Sequence, residues 1–484
     1  MTKRQAGVQV ARKRASKVSA APPVEQVPRG GSRRAAGAPR QADFVVIGGG
    51  SAGVAAAIRA ASHGASVALV ERDAIGGTCV HRGCVPKKLL SYGANWAAVL
   101  SGCLSHTGGR EDWSDAIVRV NAEVARLAVV YQERLQQAGV RMIRGEARLS
   151  GPDTVAIGAQ AIRARRILVA TGSRPRPLPV PGGELAATSD DVFGWQSLPA
   201  SLAVIGGGYI AVEQASILSR YGVKVDMLVR EDRLLENFDR DLSTALAEAL
   251  AAKGVRLHFN AEVALLDEAN GAIEVCYRQG GAARMHSLRV QAALAAVGRD
   301  PHWRDLGLEA LGVQQDEEGG IRVDRNFRSD ARTVYAIGDV IDGLHLTPTA
   351  IAQGRWLADR LFGRRGERAD FDMVPTAVFC DPAIGTVGMS EAQAIADAGK
   401  PERIATRVKR FVSLENRFAG STQASLVKLV YNARSGRILG AHLLDNAAPE
   451  IVQSFALALR LGARMSHLQT TVQLHPTVAE ELFG

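Results

Sequence analysis

Cys79 and Cys84 are separated by four residues in the stretch Gly76-Gly77-Thr78-Cys79-Val80-His81-Arg82-Gly83-Cys84-Val85-Pro86-Lys87-Lys88. Two cysteines so spaced can close a small disulfide ring if the backbone turns between them, and the neighbouring glycines permit that turn. A zinc half-site could use the same pair, but it needs two further ligands, and no other close Cys/His cluster occurs in the sequence. The chain has five cysteines, an odd number and few for 484 residues. A structural disulfide framework is therefore not expected, and a close pair in a reducing compartment reads as metal-binding or redox-active. The thiolate is the reactive form, and positive surroundings lower its pKa. Arg82, Lys87, Lys88 and a helix start expected after Pro86 could supply them.

Two glycine fingerprints surround this pair with nucleotide chemistry. The apolar run Phe44-Val45-Val46-Ile47 leads into Gly48, Gly50 and Gly53, then an Ala-rich helical stretch from Val54 to Ala61, then Ser66–Val70 and Glu71. Strand, glycine turn, helix, strand and terminal acid are the parts of a dinucleotide site. Pyrophosphate approaches the helix N-terminus and the acid accepts from a ribose diol. A plain glycine turn between packed elements is the alternative. The pattern recurs at Leu202–Ile205, Gly206, Gly208 and Ala211, but the following strand, Val223–Val229, ends in Arg230. A guanidinium there favours a 2′-phosphate, hence NADPH over NADH, and Arg233 adds to that site; otherwise Arg230 is a solvated strand end. Two dinucleotide sites suggest one bound flavin dinucleotide and one mobile nicotinamide. Two further strand-and-glycine segments, Ile167–Gly172 and Thr333–Asp339, fit that arrangement.

The elements that must position these residues belong to an ordinary globular chain. The apolar fraction is 46% and the charged fraction 22%, and no apolar run is long enough to span a membrane. Of the net charge of +10, +9 lies in the first 40 residues, which hold ten basic residues and one acid; the remainder is nearly neutral. The body therefore gives no case for a nucleic-acid groove. The tail, residues 1–41, is expected to be disordered, with an organelle transit peptide as the alternative, and it lacks the apolar core of a secretory signal.

The cysteine segment and both fingerprints, with Gly206–Glu213, Gly338-Asp339, Leu346-Thr347-Pro348 and His475-Pro476-Thr477-Val478-Ala479-Glu480-Glu481, resemble the glutathione reductase branch of the pyridine nucleotide–disulfide oxidoreductases. The similarity runs from about Asp43 to Gly484. It implies an α/β fold of two Rossmann-like dinucleotide-binding domains, for FAD and NADPH, plus a C-terminal α+β dimerisation domain. The corresponding boundaries are 42–180 for FAD, 181–299 for NADPH, 300–371 for a central domain completing the FAD site, and 372–484 for the dimer interface. The resemblance further implies that reducing equivalents pass from NADPH through FAD to the Cys79–Cys84 disulfide. Cys84 would be the charge-transfer thiol beside the flavin and Cys79 the thiol that attacks substrate. His475, supplied by the other subunit, would be the acid–base, with Glu480 as its carboxylate partner. Lys87 and Glu213 would pair near the flavin's reactive nitrogen, and Tyr209 would be the aromatic lid displaced by nicotinamide. Ser51, Thr78, Thr171, Gly172, Asp339 and Thr347 would join the first glycine turn and Glu71 in holding FAD.

For the substrate, Val85-Pro86-Lys87-Lys88 is similar to the glutathione and trypanothione reductases. Arg355 and Tyr131 match substrate-contacting positions of glutathione reductases, and Ala55 lacks the acid used for a cationic spermidine bridge. Ile58 and Glu236 depart from the pattern, the first at a glycine-carboxylate arginine and the second at a 2′-phosphate arginine. Glutathione disulfide is the expected substrate, with another low-molecular-weight disulfide, trypanothione-like or lipoamide-like, as the alternative. A flavoprotein kept for binding, with its basic tail as the contact surface, is a third reading. A homodimer without metal, nucleic-acid or membrane partners, working in the cytoplasm, completes the expectation.

Overall fold

The computed structural model describes residues 25–26, 40–103, 113–281, 284–363 and 368–483, with side chains 25–26, 40 and 96–103 excepted. The first unit is built on a parallel sheet. Its strands are β1 (Arg40–Ile47), β2 (Val67–Glu71), β3 (Arg141–Arg144), β4 (Gln160–Val169) and a later strand at Val334–Ala336, and their spatial order is β3-β2-β1-β4 followed by that later strand. These strands are runs of Val, Ile, Leu and Ala because both faces are covered, and Phe44, Val45, Leu69, Ile167 and Leu168 have no exposed surface. Helix α1 (Ser51–Ser62) connects β1 to β2. Between β2 and β3 come α2 (Gly77–His81), α3 (Cys84–Cys103) and α4 (Trp113–Gln137).

The expected tail boundary falls inside β1, which already runs at Arg40 and Gln41 paired to Ile162 and Arg163. Within the tail, Glu25–Gln26 forms a two-residue strand beside Ile143 and Arg144, so it is not uniformly without structure. Residues 1–24 and 27–39 lie outside the described residues.

The second unit repeats the plan. Strands β5 (Ser201–Ile205), β6 (Lys224–Leu228), β7 (Arg256–His258) and β8 (Ala292–Ala295) form a parallel sheet in the order β7-β6-β5-β8. Helices α5 (Tyr209–Arg220) and α6 (Arg240–Ala252) are its crossovers. A three-stranded antiparallel meander, Ala261–Ala269, Ala272–Gln279 and Met285–Val290, is inserted before β8. The chain enters and leaves this unit through one antiparallel ribbon, in which Ser173–Pro175 pairs with Arg299–Pro301.

After the return strand β9 (Val334–Ala336), helix α7 (Thr347–Phe362) packs along α1. The C-terminal unit is a five-stranded antiparallel sheet. It comprises β10 (Thr376–Val378), β11 (Ile384–Gly388), β12 (Ile404–Phe411), β13 (Ser425–Asn432) and β14 (Ile438–Leu444), in the order β10-β11-β14-β13-β12. Helices α8 (Glu391–Ala398), α9 (Ala448–Arg460) and α10 (Met465–Thr470) accompany it. Helix α9 leaves Leu457 exposed. Among the described residues, no helix is long and apolar enough to cross a membrane.

Candidate active site

Cys79 sits in the short helix α2, and Cys84 is the first residue of α3. Gly76, at φ +115°, adopts a conformation open to glycine and starts α2 immediately before the pair. The Arg82 N–H donates to the Thr78 carbonyl at 2.8 Å and folds the chain back. A Cβ on Gly83 would stand 3.0 Å from that same carbonyl oxygen, a tight approach that favours glycine at the turn. Here α3 begins at Cys84, not after Pro86 as the sequence suggests. Pro is tolerated in a first helical turn because its missing N–H would have had no partner there. The sulfur of Cys84 therefore lies in the first turn of a 20-residue helix, at the positive end of its dipole.

The mutual interaction of the two thiols raises Cys79 and lowers Cys84 to about 6. Lys87 lowers Cys84 further, as does Thr347, whose Oγ1 is 3.6 Å from Cys84 Sγ. The other two expected cations are engaged elsewhere. Arg82 Nη2 reaches Asp73 at 3.1 Å and Arg82 Nε reaches Asp190 at 3.7 Å. Lys88 Nζ lies 4.4 Å from the centre of the Phe379 ring and 4.0 Å from Glu450. Lys87 is one helical turn along α3 and pairs with the buried Glu213 of α5. Glu213 Oε1 also accepts the Phe379 N–H at 2.9 Å. Phe379 was not foreseen: it lies 166 residues from Glu213 and nothing local marks it.

The first glycine turn forms a cradle. A Cβ on Gly48, at φ +105°, would stand 2.4 Å from the Ala170 oxygen, and one on Gly53 would stand 2.0 Å from the Gly48 oxygen. Helix α1 follows Gly50 with no side-chain cap, and the buried Ser51 hydroxyl has no hydrogen-bond partner. An uncapped helix start beside an orphaned hydroxyl fits a pyrophosphate. Glu71 closes the far side: its two oxygens accept the Gly49 and Asp73 N–H groups at 2.6 and 2.7 Å. Thr78, in α2, lies between this cradle and Cys79 in the sequence. Asp339 accepts from the Ser173 hydroxyl at 2.9 Å, just beyond β9. Thr171 donates to the His302 carbonyl and Gly172 accepts the His302 N–H at 2.9 Å, which fixes the end of β4. These residues converge from β1, β2, β4, β9 and α7 on one edge of the sheet, and they fit a flavin dinucleotide ending at Cys84.

The second fingerprint has the same form. A Cβ on Gly206 would lie 2.4 Å from the Ala296 oxygen, and α5 follows Gly208 without a side-chain cap. Tyr209, the first residue of α5, stands 5.9 Å from Lys87 Nζ. Its surroundings, then Asp339 and Glu213, push its hydroxyl up to about 12 although it keeps one exposed edge. Arg230 is exposed, and its guanidinium is held by Glu231 at 2.7 and 2.9 Å. Arg233 donates to the Glu236 carbonyl at 2.8 Å and to Asp232 at 3.2 Å.

The remaining candidates lie apart or at the rim. Tyr131 of α4 is half-buried, and the nearby Cys79 contributes to raising its hydroxyl after burial itself. Arg355 is exposed on α7. His475 Nδ1 is 2.9 Å from Glu480 Oε2, and this bond holds the carboxyl of Glu480 below its ordinary range. Among the described residues, no group of three His, Cys, Asp or Glu side chains is arranged to hold a metal ion.

Residues 42–354 match the family model for pyridine nucleotide-disulphide oxidoreductases, and residues 374–483 match the dimerisation domain of the same family. A glutathione reductase of Burkholderia cepacia is 39% identical over 91% of this chain and 97% of its own length. One of Nostoc sp. is 36% identical over 91% and 98%. A chloroplastic/mitochondrial glutathione reductase of Pisum sativum is 34% identical over 94% of this chain and 84% of its own.

Proposed function

The chain belongs to the pyridine nucleotide-disulphide oxidoreductase family, and on that premise we propose that it reduces glutathione disulfide with NADPH through the Cys79–Cys84 pair. The observation that carries the proposal is the free thiol pair Cys79–Cys84 at the head of α3, beside Lys87–Glu213 and the glycine cradle. The cofactors are FAD and NADPH, and the chain works as a homodimer. FAD, when bound, supplies two-electron transfer between pyridine nucleotide and disulfide. Gly48, Gly50, Ser51, Gly53, Glu71, Thr78, Thr171, Gly172, Asp339 and Thr347 would hold it. Gly206, Gly208, Arg230 and Arg233 would hold NADPH, and Tyr209 would cover the nicotinamide position.

In the reduced pair, Cys84 is the thiolate at neutral pH and Cys79 keeps its proton. Attack by Cys79 therefore needs a base. Thr347 and Tyr131, the hydroxyls near it, do not titrate near neutrality. His475 of a second copy fills that role and takes the Cys79 proton. Cys79 Sγ then attacks one substrate sulfur; the substrate S–S bond breaks and the leaving thiolate takes the proton back from His475. Cys84 attacks Cys79 Sγ, releasing the second thiolate and forming the Cys79–Cys84 disulfide. Glu480 holds the imidazole by its Nδ1 and stabilises the imidazolium. Tyr131 and Arg355 would contact the substrate, Arg355 at a carboxylate.

Residues 42–180 and 300–371 would serve FAD, 181–299 NADPH and 372–484 the dimer contact; the ribbon at Ser173–Pro175 and Arg299–Pro301 supports the inner boundaries. A pair that must cycle through free thiols suits a reducing compartment, and the proposal places the chain in the cytoplasm. The test is NADPH oxidation by the purified holoenzyme with glutathione, trypanothione and lipoamide disulfides, each repeated with NADH. Fastest turnover with NADPH and glutathione disulfide is expected; a preference for either other disulfide would reassign the substrate. Cys79→Ser should bind FAD and turn over no disulfide.

A further inference from the structure

We propose that Asp381 is a positioning residue for the Lys87–Glu213 pair, and through it for Cys84; the inference rests on the reductase reading above. Asp381 lies in the loop between β10 and β11 of the C-terminal unit, and only 7% of its surface is exposed. Arg220 of α5 reaches its Oδ2 at 2.5 Å. Lys253, just after α6, pairs with the same oxygen and donates to the Asp381 carbonyl at 3.1 Å. The Asp381 N–H donates to Ser216 Oγ of α5 at 2.9 Å. Arg220 also continues into the redox helix, where it pairs with Asn95 and donates to the Ala94 carbonyl at 3.1 Å.

One loop residue is thus gripped by α5 and by Lys253, and its partner Arg220 also grips α3. Two residues earlier, the same loop presents Phe379 to the pair: its N–H donates to Glu213, and its ring lies 5.3 Å from Lys87 Nζ. Glu213 is only 2% exposed, so each donor to its carboxylate matters to where the charge sits. Glu213 and Ser216 stand three residues apart on α5 and so share one face of the helix. The loop therefore docks on α5 at two adjacent points, and the Asp381 carboxylate closes the second of them. Without that carboxylate, the half-buried Arg220 and the partly exposed Lys253 become two uncompensated cations facing each other, and their repulsion pushes the loop, with the Phe379 N–H, off Glu213.

A loop that served only to hold the units together would cost stability when weakened but would leave the chemistry alone. The test is a double-mutant cycle on the FAD-loaded dimer: Asp381→Asn, Glu213→Gln and both together, read as kcat and as the pH midpoint of Cys84 alkylation in the reduced enzyme. Asp381→Asn is expected to lower kcat about fivefold and raise the midpoint in the native background, with neither effect in the Glu213→Gln background. Equal effects in both backgrounds, or a lower melting temperature with kcat and midpoint unchanged, would overturn the proposal while leaving the role of the pair intact. If Glu213→Gln itself leaves kcat unchanged, the pair's role fails and the proposal with it. Should Asp381→Asn not yield flavin-loaded protein, Lys253→Met, which removes one arm of the grip from a partly exposed site, is expected to act in the same direction; no coupling to Glu213→Gln there would again overturn it.

Discussion

His475 and Glu480 are hydrogen-bonded at 2.9 Å, yet the His475 side chain is 79% exposed. The segment around it carries Val472 and Leu474, 94% and 75% exposed. An imidazole already held in register by its own carboxylate, on an apolar segment its own chain leaves uncovered, fits a residue completed by a second copy.

His475→Gln should therefore lower kcat by about a hundredfold or more, the usual worth of a general acid–base, while the dimer and FAD content stay native. Glu480→Gln should lower it less, because the carboxylate that orients the imidazole and stabilises the imidazolium is gone. Unchanged kcat in His475→Gln, measured by stopped-flow and steady-state assay, would remove it from the mechanism.

The lowered pKa of Cys84 gives a pH prediction. Its thiolate is favoured in the folded state, so alkylation of the reduced enzyme at Cys84 should rise with pH about a midpoint near 6, well below an ordinary cysteine. The stabilisation that this shift contributes is present at alkaline pH and is lost as pH falls through that midpoint. Lys87→Met should raise the midpoint, since Lys87 lowers it by its charge. Peptide mass spectrometry after timed alkylation reads both effects.

Arg230 is shared with Glu231, so a 2′-phosphate must compete for it. Glu231→Gln should tighten NADPH and leave NADH unchanged. Arg230→Met should raise the KM for NADPH about tenfold, the worth of one lost charge-assisted hydrogen bond, with little change for NADH. Paired KM measurements with the two coenzymes check this.

Much of this was legible in the sequence because it is carried by short-range signals. Gly48, Gly50 and Gly53 announce the cradle by their spacing, and at Gly48 and Gly53 a Cβ would come within 2.0 to 2.4 Å of a backbone oxygen, an approach no side chain survives. The Cys79–Cys84 spacing announces the redox ring. The hold of Phe379 on Glu213, and of Asp381 on Arg220 and Lys253, was not legible. Those contacts join residues more than a hundred positions apart, and none has a local pattern. The start of α3 at Cys84 was misplaced for a different reason: Pro86 reads as a helix start, but it occupies the third position of a turn already begun.

The same limit hid Lys428, fully buried in β13. It pairs with Asp239 at 2.9 Å and with Asp241 and Glu391 at 2.7 Å, joining α6 of the second unit to α8 of the third. Lys428→Met would leave these carboxylates facing one another, Asp239 in a buried setting, and should cost about 3 kcal/mol of stability. Chemical denaturation of the holoenzyme reads that loss, and a variant as stable as the native chain would show the cluster to be neutral.

The central claim is that electrons from NADPH arrive as two thiols at Cys79 and Cys84. The direct measurement is a count of titratable thiols in the denatured oxidised holoenzyme, before and after anaerobic addition of one equivalent of NADPH per chain. Of the five cysteines, three should react before and all five after, with the two new labels on Cys79 and Cys84. A count that does not change on reduction, or new label on any other cysteine, would contradict the account.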